Sequence, residues 1–195
     1  MKAELPKIVF ATNNPHKLEE ARAVASGYLN ILSLADIGCH DEIPETAETL
    51  EGNALIKARW VKDRYGYDCF ADDTGLMVDA LGGAPGVYSA RYAGPHCSPQ
   101  DNIRLLLANM DGKADRSAKF ATVIALIKDG EEHVFRGEVE GEIATEPHGE
   151  AGFGYDPIFI AKESGKTFAL MTAADKNAIS HRGRAMRNFM SFISK

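Results

Sequence analysis

The sequence predicts an α/β protein built on a mixed β-sheet. Three observations carry this. Strand-like and helix-like segments alternate between Lys7 and Ala71, the pattern that makes parallel neighbours. A long β-forming run, Ala118–Lys128, is followed by Asp129-Gly130 and by a second run, His133–Ile143, which a tight turn would return as an antiparallel partner. Helix-forming stretches then flank the strands up to the C-terminus, so a sheet of both senses has helices to cover it.

Taken in order, Lys7–Ala11 (KIVFA) reads as a short buried strand, broken by Asn13-Asn14-Pro15. Asn14 fits an N-cap and Pro15 the first helical position, which opens a helix over Pro15–Ala25 with Leu18, Ala21 and Ala25 on its apolar stripe. Ala35–Thr46 reads as a polar loop holding Asp41, Glu42 and Glu45. Thr49 caps a second helix that runs to Tyr65, burying Leu50, Ala54, Ala58, Val61 and Tyr65 and stopping at Gly66. Cys69–Ala71 reads as a short strand that ends at Asp72-Asp73-Thr74-Gly75, and Gly82–Gly86 as a loop of unusual dihedrals. Ser98-Pro99-Gln100-Asp101 has the form of a capping box and starts a helix to Met110. After the hairpin, Ala151–Tyr155 is a glycine-rich loop and Pro157–Ile160 a short strand. Thr172 caps a brief helix, and Ser180 caps a last one that buries Ala185, Phe189, Phe192 and Ile193.

Composition narrows the function. The 195 residues contain no repeat, no low-complexity tract and no linker, which argues for one compact unit rather than two tethered ones. With 22 Lys+Arg against 28 Asp+Glu the net charge is −6, so the chain lacks the broad positive field of a nucleic-acid binder. Small anions can still bind where a few cations converge. The three cysteines form no CxxC pair and are odd in number, which points to a reducing cytoplasm rather than a disulfide framework. No apolar run is long enough to span a membrane, and the apolar run near the N-terminus is too short for a signal-peptide core.

Four segments could carry chemistry. Thr12-Asn13-Asn14-Pro15-His16-Lys17 is either a phosphate cradle at a helix start, with Lys17 supplying charge, or a capped helix with one surface lysine. Asp72-Asp73 offers hard oxygen ligands suited to Mg²⁺, with Glu45 as a further ligand, or else forms an acidic turn. In Gly152-Phe153-Gly154-Tyr155-Asp156 an aromatic could stack on a base that the glycines let approach; the alternative is a tight turn packed on the core. Lys176, His181 and Arg182 surround a helix start, where cations oppose the macrodipole and so favour a bound anion nearby. Zinc, nucleophile-elbow and dinucleotide motifs are absent.

Together, FATNNPHK, ADDTGLMVDALGGAPGVYSARYAG, GFGYDPIF and KNAISHRGRA, in this order, resemble the inosine triphosphate pyrophosphatase family, the dITP/XTP pyrophosphatases that act on non-canonical purine nucleoside triphosphates. The resemblance runs from Lys7 to Phe189. It implies a long mixed sheet with flanking helices and two lobes around a nucleotide-binding cleft, in a homodimeric cytoplasmic enzyme. The implied reaction is Mg²⁺-dependent hydrolysis of ITP, dITP and XTP to the monophosphate and pyrophosphate. Carried over by position, Thr12–Lys17 matches the phosphate-binding segment and Lys57 a lysine facing the phosphates. Asp73 matches the general base and metal ligand, with Asp72 and Glu45 as further metal contacts, and Thr74 a hydroxyl beside the nucleotide. Phe153, Gly154, Tyr155, Asp156, Lys176, His181 and Arg182 match the base-recognition set, and Leu50 stands where an aromatic is common. Two other readings share these motifs: a pyrophosphatase for modified pyrimidine nucleotides, and a nucleotide sensor without hydrolysis.

Overall fold

The computed structural model describes residues 4–195. Residues 1–3, the start of the N-terminal segment judged too short for a signal-peptide core, lie outside the described residues. The chain opens with strand β1 (Lys7–Phe10), helix α1 (Pro15–Ala25), β2 (Asn30–Leu32), α2 (Leu50–Tyr65) and β3 (Cys69–Val78). It continues through β4 (Pro85–Gly86), α3 (Pro99–Asn109), β5 (Ser117–Lys128), β6 (Glu131–Ile143), β7 (Phe159–Ala161) and β8 (Lys166–Thr167), and closes with α4 (Ala173–Ile179) and α5 (His181–Ile193). The strands form one sheet in the order β2-β1-β3-β5-β6-β7-β8, with β4 paired to β3. β1 pairs parallel with β2 and β3, whereas β3–β4, β6–β7 and β7–β8 are antiparallel. The mixed α/β architecture is therefore the one expected.

The chain divides into two compact units. One comprises the described residues up to Asp73 with Thr122–Gly137 and Arg182–Lys195; the other is Thr74–Ala121 with Glu138–His181. In the first unit, strand alternation sorts side chains to two apolar faces. Ile8, Phe10, Phe70, Ile124 and Leu126 join Ala21 and Ala25 of α1 and Ala185 and Phe189 of α5 in one cluster. Val9, Cys69, Ala71, Ala125 and Ile127 meet Ala54, Ala58 and Val61 of α2 in another. Phe70 stacks on Phe10 with 4.4 Å between ring centroids and lies 4.8 Å from Phe189. The second unit has one core, in which Leu76, Val78, Phe120, Val139, Ile143, Phe159 and Phe168 pack with Ile103, Leu106 and the C-cap Met110 of α3.

The helix starts follow their local chemistry. Asn14, Thr49, Ser98 and Thr172 each accept a backbone N–H in the first turn, and Ser98 with Asp101 completes a capping box. Asp129 (φ 52°) and Gly130 (φ 83°) give the positive dihedrals that a two-residue turn between β5 and β6 requires.

Several expectations need correction. β3 does not stop at Ala71: Asp72 and Asp73 lie inside a ten-residue strand, because Leu76 and Val78 continue it with fully buried apolar side chains. The strand expected over Pro157–Ile160, β7, begins at Phe159 instead, since the N–H groups of Ile158 and Phe159 both turn back to the Tyr155 carbonyl. β2, β4 and β8 lie where the sequence predicts no strand, and Ala35–Ile37 within the polar loop forms a 3-10 turn. Phe192 is 38% exposed; it covers His133 and Phe135 at the edge of the core instead of entering it. Among the described residues no helix is long and apolar enough to cross a membrane.

Candidate active site

In the first unit, the Thr12–Lys17 turn is organised by its own side chains. The Asn14 N–H donates to Thr12 Oγ1 (3.1 Å), and Asn14 Oδ1 accepts from the His16 and Lys17 amides at 3.0 and 3.3 Å. This fixes the first turn of α1 and sends the Lys17 side chain to β3, where Nζ donates to Asp72 Oδ1 at 3.0 Å. Asp72 is 1% exposed, and its other oxygen accepts from Arg182 Nε at 3.0 Å. Arg182 Nη1 in turn donates to Glu20 Oε2 on α1 at 2.6 Å. On α2, Lys57 Nζ donates to Glu45 Oε1 at 2.6 Å, and Asn53 Nδ2 donates to Asp73 Oδ2 at 3.2 Å.

Three cations thus meet four carboxyl groups in largely buried surroundings. Burial works against the charged form of Asp72, but Lys17, Arg182 and Lys57 outweigh it and hold the carboxyl well below the usual range. Asp73 goes the other way: burial raises it, Glu45 raises it further, and Lys57 and Lys17 only partly oppose the rise. Burial lowers Lys17 against the pull of Asp72, whereas in Lys57 the attraction of Glu45, Asp72 and Asp73 overcomes burial and raises it. Adjacent residues of one strand are thereby divided into a fixed anion, Asp72, and a carboxyl that holds a proton more readily, Asp73. Among the described residues, no three His, Cys, Asp or Glu side chains gather as a metal-binding group.

The second unit holds a different constellation. Asp156 Oδ2 accepts from the Phe153 amide at 2.9 Å and from Lys176 Nζ at 2.6 Å. Both side chains of the ion pair are nearly inaccessible, and Lys176 Nζ lies 4.8 Å from the centroid of the Phe153 ring. Gly152 (φ 76°) leaves room for this carboxylate: a Cβ on it would fall 2.0 Å from Asp156 Oδ2 and push the side chain aside. Thr172 caps α4 and so places Lys176 on its inner face. His181 stacks on Phe120 at 4.5 Å and lies 6.1 Å from Phe168. Tyr155 is buried, and its hydroxyl donates to the Ser89 carbonyl at 2.7 Å, so it anchors the loop beneath the half-buried Phe153. Thr74 is half-buried on β3.

Residues 8–192 match the model of the Ham1 family. The chain belongs to the Ham1 family. A dITP/XTP pyrophosphatase of Porphyromonas gingivalis is 52% identical over 190 residues, 97% of this chain and 98% of that one. A protein of the same name from Christiangramia forsetii is 50% identical over 189 residues, 97% of this chain and all of its own length. Among solved structures, a HAM1 protein from Coxiella burnetii superposes with a TM-score of 0.89 at 37% identity, covering 97% of this chain and 99% of that one.

Within this Ham1 chain the sequence-derived residues fall into two sets. Thr12–Lys17, Glu45, Lys57, Asp72, Asp73 and Arg182 belong to the first unit, and Thr74, Phe153–Asp156, Lys176 and His181 to the second. Arg182, grouped by resemblance with base recognition, is clamped between Asp72 and Glu20. Glu20 and Asn53 were missed. Glu20 lies three residues after Lys17 on the same helix face, and Asn53 is a poor helix former on the buried stripe of α2; these spacings were the available signals.

Proposed function

We propose that this Ham1-family chain, as a single functional domain, hydrolyses the deaminated purine nucleotides ITP, dITP and XTP to the monophosphate and pyrophosphate. Its relatives named dITP/XTP pyrophosphatases match it end to end at about half identity, which supports the substrate class. The observation that carries the chemistry is Asp73, a carboxyl raised by burial within a cluster of lysine, arginine and carboxylate groups.

The donor set suits Mg²⁺. The cluster has more carboxyl groups than cations, Glu45 and Asp73 disfavour one another's charge, and both offer hard oxygens. Asp72, whose two oxygens accept from Lys17 and Arg182, fits the charge frame better than the metal shell. Few protein ligands are needed where substrate phosphates and water complete an octahedral shell. When bound, the ion would neutralise phosphate charge and polarise the reacting phosphoryl group.

In the proposed reaction, Asp73 takes a proton from a water as the water oxygen bonds to the α-phosphorus. The bond from that phosphorus to the bridging oxygen breaks, and pyrophosphate leaves with the electron pair. Lys17 and Lys57 turn from their internal carboxylates to the phosphates, and the amides at the start of α1 add donors. In the second unit Phe153 stacks on the base, and Lys176 and His181 present donors to the 6-oxo acceptor of hypoxanthine or xanthine. Adenine offers a 6-amino donor there, and a polar mismatch of this kind discriminates by about 10⁴-fold. We place the enzyme in the cytoplasm as a homodimer acting on free nucleotides; the acidic balance suits a small-molecule substrate.

Pyrophosphate release from ITP, XTP, GTP, ATP, dTTP and UTP, with and without Mg²⁺, tests the proposal. Mg²⁺-dependent release from ITP and XTP is the expected result. Release from pyrimidines would overturn the base assignment, and binding of ITP without release would favour the sensor.

A further inference from the structure

Asn53 is an uncharged side chain among charged ones. It is fully buried, in the first turns of α2, and each end of its carboxamide has a separate task. Oδ1 accepts the Ala47 N–H at 2.9 Å, and Nδ2 donates to Asp73 Oδ2 at 3.2 Å. A backbone N–H can only donate, so the acceptor end must face Ala47, and the donor end is left for Asp73. One turn further along α2, Lys57 grips Glu45, so the Glu45–Ala47 segment is held to the helix at two points. The segment also lies directly on the helix start: a Cβ on Gly52 would stand 2.6 Å from the Ala47 Cβ.

From this arrangement we infer that Asn53 is a positioning residue that aligns Asp73 and fixes the segment carrying Glu45, so that the two carboxylates keep a common geometry. The inference rests on Asp73 acting as the base of the proposed hydrolysis. The carboxamide does what neither a charged nor a shorter side chain can. An aspartate would face Asp73 with a second acceptor. A lysine would add charge without an acceptor for Ala47, and a serine has too short a reach for both partners. Misalignment of a catalytic group by about 1 Å costs on the order of 10²-fold in rate, and loss of an outer-shell partner weakens metal affinity or activity by about 10–100-fold.

The test compares Asn53→Leu, which keeps the branched outline and removes both bonds, with Asn53→Ala, a smaller strong helix former, should the bulkier leucine disturb folding. Thermal unfolding checks the fold, steady-state hydrolysis of ITP at saturating Mg²⁺ separates kcat from KM, and calorimetry of the nucleotide-free protein with Mg²⁺ alone reads the metal site. The expected result in a folded variant is a kcat lowered by about 10²-fold, a nearly unchanged KM, and Mg²⁺ binding weakened by about 10-fold or more. A folded variant with kcat close to that of the unsubstituted protein overturns the inference, as does a loss confined to KM. Asp73→Asn is measured alongside. If it is inactive while Asn53→Leu is fully active, the positioning role alone fails; if Asp73→Asn turns over normally, the base assignment fails and the inference with it.

Discussion

The two units handle charge in opposite ways. In the first, cations and carboxylates form a chain, Glu20–Arg182–Asp72–Lys17, with Glu45–Lys57 and Asp73 beside it. In the second, a buried ion pair, Lys176–Asp156, lies beside the rings of Phe153 and Phe168, and His181 stacks on Phe120. A chain of pairs can exchange partners at small cost, since each cation that leaves one anion for another keeps a counter-charge. A buried pair beside aromatic rings does so less readily, because separating it leaves a charge in a medium of low dielectric. Under the proposed function, the first arrangement would serve the triphosphate and the second the base.

The largest stability effect is expected from Asp72→Ala, which strands Lys17 and Arg182 without their shared anion. Breaking such a buried pair costs about 3–5 kcal/mol, read as a lowered midpoint in urea. A loss below 1 kcal/mol would mean that the chain re-pairs around the gap and would extend the partner-exchange idea beyond its present form. Lys176→Met tests the other half, since it takes the Lys176 ammonium away from Asp156. The expected result is a raised KM for ITP with Mg²⁺ affinity unchanged; a change in Mg²⁺ affinity would mean that the two charge arrangements do not act separately.

Two buried groups, one in each unit, respond to pH with opposite sign. The folded Asp72 carboxyl lies below its unfolded value of about 3.9, so its contribution is fully present above that value and is lost as the pH falls below it. Burial pushes the Tyr155 phenol up, so its contribution stands below its unfolded value of about 10 and is lost as the pH rises past it. Trp60, the single tryptophan, lies on α2 of the first unit and reports the acid limb by fluorescence; phenolate absorbance reports the alkaline one. Asp72→Asn should flatten the acid limb alone.

Smaller effects come from the glycines and the surface. Gly152→Ala should raise KM for ITP by forcing Asp156 aside. Gly154→Ala, at φ 59° with open space around it, should cost only the left-handed penalty of about 1–2 kcal/mol in stability. Equal kinetic effects at both positions would remove the special role given to Asp156. Smallest is Arg59→Ala: its pair with Glu132 is exposed, and a change above about 1 kcal/mol would be unexpected for a surface ion pair.

Much of this was legible in the residues. Asn14-Pro15, Thr49 and Ser98-Pro99-Gln100-Asp101 set their helix starts by local hydrogen bonding, which depends on neighbours in sequence and is therefore readable there. The Asp129-Gly130 turn is of the same kind. β3 was cut short because two adjacent aspartates look like a turn; inside the protein, Lys17 and Arg182 make Asp72 acceptable within a strand, and neither lies near it in sequence. Phe192 was misplaced because helical period identifies a face and not the depth at which the face ends.

By itself the sequence determined the α/β class, the caps and turns, and a set of candidates for phosphate, metal and base chemistry. Only the tertiary structure decided the surroundings of those residues: which aspartate lies between Lys17 and Arg182 and which carboxyl is raised, that Asn53 bridges Ala47 and Asp73, and that Tyr155 anchors the loop whose Phe153 remains half-buried. The reason is physical. Caps and turns are bonds between chain neighbours, whereas a charge takes its properties from burial and from counter-charges that folding brings from distant parts of the chain.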